Sequence, residues 1–224
     1  MNLLIVSATP YEIAPLVGWL REHFQTGEQN TFSKDNLKVQ LLITGVGLTH
    51  TAFAMGRYLS AQRPNLAINI GVAGAFNRRL KLGEVVNVVS ECFGDLGVEE
   101  ADGQFTSVHQ LGLIDGDKGA FRNGQLHNDG PDHYSFLPRV RGMSVNKVHG
   151  YSPSIEQVKK QYQVEVESME GAAFFYACLM EGIPFLEVRA ISNYVESRNR
   201  ERWKLSLAID NLCRVMVQMI GSLD

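Results

Sequence analysis

A chain of 224 residues, 45% of them apolar, has enough core-forming material for one large α/β domain over residues 1–224 rather than two small ones. A formal net charge of −3 excludes the basic surface typical of nucleic-acid binding. No apolar run approaches the ~20 residues that span a bilayer, so no membrane partner is expected.

Residues 3–8 read as a buried strand. Residues 1–6 do not make a signal peptide, because a basic start is lacking and polar Thr9-Pro10-Tyr11-Glu12 follows at once. A helix is predicted over 11–24. A second strand over 39–43 is closed by Thr44-Gly45-Val46-Gly47, and the spacing of Ala, Phe and Met predicts a helix over 49–59. Residues 66–70 form a strand closed by Gly71-Val72-Ala73-Gly74-Ala75, and 85–89 form another. The stretch 94–132 is rich in Gly, Asp and Asn, and reads as loop with room for one short helix. Strand character resumes over 139–149. A helix over 155–162, a strand over 164–167, a helix over 171–180, a strand over 185–191 and a long helix over 200–220 complete the chain. Strand and helix alternate without repeat or linker. The fold class is therefore α/β: three layers, α/β/α, with a mostly parallel, mixed central sheet covered on both faces. Cys92, Cys178 and Cys213 lie far apart in apolar contexts. They fit the core of a reducing, cytoplasmic protein better than a disulfide frame or a metal site.

In such sheets ligands bind in the crevice at the carboxyl ends of the strands. Two apolar segments run into polar residues there: Val166-Glu167-Ser168-Met169-Glu170-Gly171 and Val188-Arg189-Ala190-Ile191-Ser192-Asn193. A carboxylate at Glu170 suits the two neighbouring hydroxyls of a ribose. A carboxamide at Asn193 suits the acceptor edge of a base. The pair points to nucleoside chemistry. The glycine clusters at 45–47 and 71–74 let backbone N–H groups approach a ligand, and taken alone read equally as tight turns. Neither matches the dinucleotide fingerprint or the P-loop. Glu12 follows the first strand closely. Its position fits a favourable partner for a helix dipole, or a crevice-facing carboxylate. Lys147 and His149 end a strand and face either solvent or the pocket. The charged run 196–202 reads as a solvated segment, and its place directly after Asn193 would let it close over a ligand.

Taken together, these segments resemble the purine nucleoside phosphorylase and nucleosidase superfamily, especially its methylthioadenosine/S-adenosylhomocysteine nucleosidase type. The likeness runs through residues 5–12, 44–47, 69–75, 83–86, 140–142, 166–173 and 188–193, in order. The interior 94–132 departs from that nucleosidase pattern. Within the superfamily the chain is most similar to the futalosine hydrolases, through Asp95-Leu96-Gly97-Val98-Glu99, Val145-Asn146-Lys147-Val148-His149-Gly150, Ser168-Met169-Glu170-Gly171-Ala172-Ala173-Phe174-Phe175 and Ile191-Ser192-Asn193-Tyr194-Val195-Glu196. The resemblance implies a nucleoside phosphorylase-like fold, a homodimer, a small purine nucleoside substrate, and no metal or organic cofactor. It implies cleavage of hypoxanthine from futalosine in a route to menaquinone.

The resemblance also implies residue roles. Glu12 would activate the attacking water. Glu170 would hold the ribose 2′ and 3′ hydroxyls, with Met169 packed under the sugar. Ser168, Gly45, Gly74, Val148 and His149 would line the substrate site. Asn193 stands where adenine-cleaving nucleosidases carry an aspartate that helps protonate the departing base. An amide is no strong acid, but the substrate accounts for the change. Adenine offers a donor beside N7, whereas hypoxanthine offers two acceptors, O6 and N7, and an amide NH2 can donate to them. Asn193 therefore argues for a 6-oxopurine, as in the superfamily's inosine and guanosine phosphorylases. The 71–74 turn lacks the hydroxyl, and the 8–12 segment the basic residue, by which those phosphorylases bind phosphate, so water is the expected nucleophile. Lys147, Arg198 and Arg200 are candidates to meet the carboxyphenyl tail of futalosine. The competing readings are a methylthioadenosine-type nucleosidase, a phosphate-dependent phosphorylase, and a nucleoside-binding domain without catalysis.

Overall fold

The computed structural model describes residues 1–130 and 136–223. Strand β1 (Asn2–Ser7) is followed by helix α1 (Ala14–His23), the short strands β2 (Gln25–Thr26) and β3 (Thr31–Lys34), β4 (Leu37–Ile43), and α2 (Leu48–Leu59). Then come β5 (Leu66–Ala75), β6 (Val85–Glu91), β7 (Gly97–Glu99), β8 (Phe105–Ser107), β9 (Phe121–Arg122), β10 (Gln125–His127) and β11 (Arg139–Ser144). Helix α3 (Ser152–Gln161), β12 (Val166–Ser168), α4 (Gly171–Glu181), β13 (Phe185–Tyr194), a 3₁₀ turn (Arg200–Arg202) and α5 (Leu205–Gly221) complete the order.

Strand period divides the core into layers. Leu3 and Ile5 of β1 pack with Ile68 and Ile70 of β5 against Leu16 and Leu20 of α1 and Leu212 and Met216 of α5. Leu4 and Val6 face the other way, with Met55 of α2 and Phe174, Phe175 and Cys178 of α4. Alternate residues of one strand thus serve opposite faces, and helices cover both. The sheet is mixed. The ladders joining β4, β1, β5 and β13 are parallel, while β12 joins β5 and β13 joins β6 antiparallel. Because β13 pairs with both β5 and β6, the strands β5, β12, β11, β6 and β13 close into a small barrel-like ring. All three cysteines are buried and free. No helix among the described residues is long and apolar enough to cross a membrane.

Several boundaries differ from the sequence expectation for identifiable reasons. Helix α1 begins at Ala14, not at residue 11. A start at residue 11 would place Pro15 inside the helix, without its N–H and against the carbonyl of Tyr11. Glu12 therefore sits on the turn between strand and helix. The segment 71–75 is not a closing turn. It continues β5, because β13 and β12 pair with it as far as Tyr194 and Val166. The expected strand over 139–149 ends at Ser144. The stretch 94–130 contains two β-hairpins and no helix among the described residues, and 131–132 of the expected loop lie outside them. The expected final helix is broken after Arg202, where the Lys204 N–H donates to the Ser192 carbonyl at 2.8 Å and ties the chain to the end of β13. Strands β2 and β3 arise in a segment for which no element was predicted.

Candidate active site

The turn after β1 and the start of α4 bring Glu12 and Glu170 together around Arg189, while Asn193, near the end of β13, lines a neighbouring cavity whose walls include neither of them. Glu12 is held on the turn after β1. The Val72 N–H donates to its Oε1 at 3.2 Å, and the Thr9 hydroxyl donates to Oε2 at 2.9 Å. Glu170 lies at the start of α4, buried, and its Oε1 accepts the Gly47 N–H at 3.0 Å. Burial raises the Glu170 pKa, opposed by the Arg189 guanidinium and by the Gly47 N–H. Met169 is partly buried beside it, and its N–H lies 3.3 Å from Glu170 Oε2.

Arg189 sits behind this pair, 2% exposed, on the strand that ends in Asn193. Its Nε lies 2.8 Å from Glu187 Oε1, and its Nη2 donates to Asn69 Oδ1. A Cβ at position 71 would lie 2.7 Å from Arg189 Nη1 and 3.0 Å from Glu12 Oε1. Gly71 therefore lets both charges approach the β5 backbone. Burial works against the Arg189 charge, but Glu187, Glu170, Glu12 and Glu91 more than offset that and keep it protonated. Burial also pushes the Glu187 carboxyl up to about 7, with Arg189 opposing. Glu91 rises well above its ordinary value, through burial and then through Glu187. One guanidinium thus serves a predominantly acidic cluster.

Asn193 projects from a β-bulge, where the register of β13 on β5 slips between Ile191 and Asn193. Bulges re-aim side chains in this way. The Ser192 hydroxyl donates to Asn193 Oδ1 at 2.8 Å, and Nδ2 donates to the Tyr194 carbonyl at 3.0 Å. These two bonds fix which end of the amide is which and place the NH2 on the Gly74 side. A Cβ at position 74 would lie 3.2 Å from Nδ2. A cavity of about 300 Å³ opens there, lined by Gly74, Val148, His149, Glu167, Asn193 and Trp203, with Arg78, Arg198 and Arg202 around it.

The other residues singled out by sequence fall in different places. Gly45 is in a turn with φ +87°, and its N–H donates to the Ala8 carbonyl at 3.1 Å, so it is Gly47 that reaches Glu170. The Ser168 hydroxyl accepts the Gly171 N–H at 3.4 Å and so helps to start α4. Of the three candidate cations, only Arg198 lines the cavity, stacked 5.4 Å from the Trp203 ring centroid, while Lys147 and Arg200 are exposed elsewhere. Sequence reasoning assigned no role to Arg189, Glu187, Glu167 or Arg78, and read Arg202 only as part of the charged run 196–202. The first two had a signal. Opposite charges two residues apart in an apolar strand share one face, and such a strand buries them.

The phosphorylase superfamily model matches residues 2–117 and 137–221. The chain is 29% identical over 186 residues to the futalosine hydrolase of Thermus thermophilus, covering 80% of each. It is 26% identical over 203 residues to the 5′-methylthioadenosine/S-adenosylhomocysteine nucleosidase of Haemophilus ducreyi, covering 84% of this chain and 82% of that one. A structure of Helicobacter pylori futalosine hydrolase superposes with a TM-score of 0.80 at 15% identity over 99% of this chain and 98% of that one, a likeness of fold. With its model matched along nearly the whole described chain, the protein belongs to the phosphorylase superfamily.

Proposed function

We propose that this protein hydrolyses the N-glycosidic bond of futalosine, releasing hypoxanthine and dehypoxanthine futalosine on a route to menaquinone. The observation that carries the reading is the fixed amide of Asn193. It offers an N–H donor toward the cavity, and a 6-oxopurine edge offers acceptors at O6 and N7. Glu12 removes a proton from water as the oxygen attacks C1′, and Glu170 holds the ribose hydroxyls. Water, not phosphate, is the nucleophile. Arg189 is enclosed by Glu187, Glu170, Glu12 and Glu91, and a phosphate dianion placed among those carboxylates would be repelled. The relatives named futalosine hydrolase support the substrate.

The test is hypoxanthine release from futalosine in phosphate-free buffer, with inosine and methylthioadenosine in parallel. Release from futalosine without phosphate is expected. Adenine release from methylthioadenosine alone would replace the futalosine reading with the methylthioadenosine one.

Two substitutions probe the base site. Asn193→Asp should shift the ratio of hypoxanthine to adenine release toward adenine by roughly 10- to 100-fold, since a mismatched buried polar group costs about 1–3 kcal/mol. Paired kcat/KM values for the two nucleosides measure it, and an unchanged ratio refutes the role. Gly74→Ala would put a methyl 3.0 Å from Val195 Cγ2 and 3.2 Å from Asn193 Nδ2. It should raise KM for the nucleoside about 10-fold with a smaller change in kcat, the pattern of weakened binding common to ground and transition states.

A further inference from the structure

The amide of Asn193 leaves one chemical need unmet. When the C1′–N9 bond breaks, its electron pair moves onto the purine, and an amide supplies no proton. The same cavity holds a second polar pair. Glu167 of β12 is buried, 3% exposed. Its Oε1 accepts the His149 N–H at 3.0 Å, and its Oε2 is hydrogen-bonded to His149 Nδ1. The carboxylate thus grips both the backbone and the ring of one residue. With Nδ1–H directed at Glu167, Nε2 is the ring atom left for a ligand, and it hydrogen-bonds to no described protein group. His149 lines the cavity together with Asn193.

Register places this pair opposite the amide. Gly74 of β5 is the partner of Glu167 on one side and of Asn193 on the other. Two strand spacings put the Glu167 and Asn193 backbones about 10 Å apart. Gly74 carries no side chain between them, so the Asn193 amide and the His149 ring can face the same edge of a bound base, the amide at O6 and Nε2 at N7. Glu12 accepts from Val72, two residues back along β5, which sets the water on the sugar side of the same path. A carboxylate on Nδ1 fixes the histidine tautomer and stabilises the imidazolium.

From this geometry we infer that His149 is the general acid that protonates the departing purine, and that Glu167 is its positioning residue. The inference rests on the proposed hydrolysis of a purine nucleoside. Water oxygen bonds to C1′ and its proton goes to Glu12. The C1′–N9 electron pair passes into the imidazole ring of the base, and the Nε2 proton of His149 goes to N7. Glu12 then returns its proton to solvent and His149 regains one, so atoms and charge balance. Asn193 identifies the base and His149 drives its departure.

The experiment compares two leaving groups. Hypoxanthine release requires a proton. p-Nitrophenolate, released from p-nitrophenyl β-D-ribofuranoside, leaves as a stable anion and requires none. His149→Gln should lower kcat for hypoxanthine release by about 100-fold or more, and p-nitrophenolate release should change less than about 3-fold. Glu167→Gln should move both in the same directions by a smaller factor, and thermal melting checks that each variant folds. Equal losses on both substrates, or undiminished hypoxanthine release in His149→Gln, overturn it. If the wild type releases adenine from methylthioadenosine and nothing from futalosine, the substrate reading fails alone. The acid is then judged by whether His149→Gln slows adenine release. A wild type inactive on every purine nucleoside refutes the hydrolase reading and the acid with it.

Discussion

Replacing Glu12 by Gln should lower turnover by about 10²–10⁴-fold while KM stays within a few-fold of its starting value. The substitution is nearly isosteric. The amide oxygen of Gln can still accept the Val72 N–H that lies 3.2 Å from Glu12 Oε1. The Thr9 hydroxyl, now a donor to Oε2 at 2.9 Å, can reverse and accept from the amide. The turn between β1 and α1 therefore keeps its shape, and Glu170, which holds the ribose in the proposed site, is untouched. What disappears is the proton acceptor. Steady-state kinetics on futalosine, with product binding followed separately, distinguish a lost base from a lost pocket. A variant that retains more than a tenth of wild-type turnover would remove Glu12 from the chemistry.

The layered α/β architecture was legible in the chain because alternating strand and helix leave few arrangements that cover a sheet on both faces. The places of Glu12, Glu170 and Asn193 at or just beyond the ends of β1, β12 and β13 were legible for a related reason: each follows a predicted strand. What escaped was whatever depends on pairing between distant segments. Gly71-Val72-Ala73-Gly74 looks locally like a turn, and only the partners β12 and β13 make it strand. Glu167 looks like one more polar residue at a strand end until the chain from β11 brings His149 back to it. The hairpins within 94–130 carry too few apolar residues to announce themselves. Strands of two and three residues leave almost no period to read. In the last helix the charged run 200–202 extends the helical pattern smoothly, and the break comes from a tertiary bond to Ser192.

Arg189→Met should be the most destabilising single change near the site, costing about 3–5 kcal/mol near pH 8, the usual penalty for leaving buried charge without its partner. Arg189 and Glu187 are 2% and 0% exposed at the side chain. A Cβ on Gly171 would meet both Glu187 oxygens and Glu91 Oε1 at 2.5 Å, so the two carboxylates converge on one point of the barrel. Removing the guanidinium leaves them facing each other. The sign of the pH effect follows from Glu187, which burial pushes from 4.5 up to about 7. A raised folded-state value means that the folded protein binds the proton more tightly than the unfolded chain. Its stabilising contribution is full below about 4.5 and is lost as pH rises through 7. Without the opposing cation that value moves higher still, so the loss in Arg189→Met should be small near pH 5 and large near pH 8. Urea unfolding of wild type and variant at both pH values measures it. Adding Glu187→Gln to Arg189→Met should restore part of the stability at pH 8 and little at pH 5, a coupling that neighbours in one network show and independent sites do not. Equal destabilisation at both pH values, or a double variant no better than the single, would mean that Arg189 serves by packing alone. The acidic cluster would then be indifferent to the charge at its centre. If the coupling appears, the ion pair that stabilises the barrel is the same one that holds a positive charge behind Glu12, so stability and water activation would depend on the same protonation state.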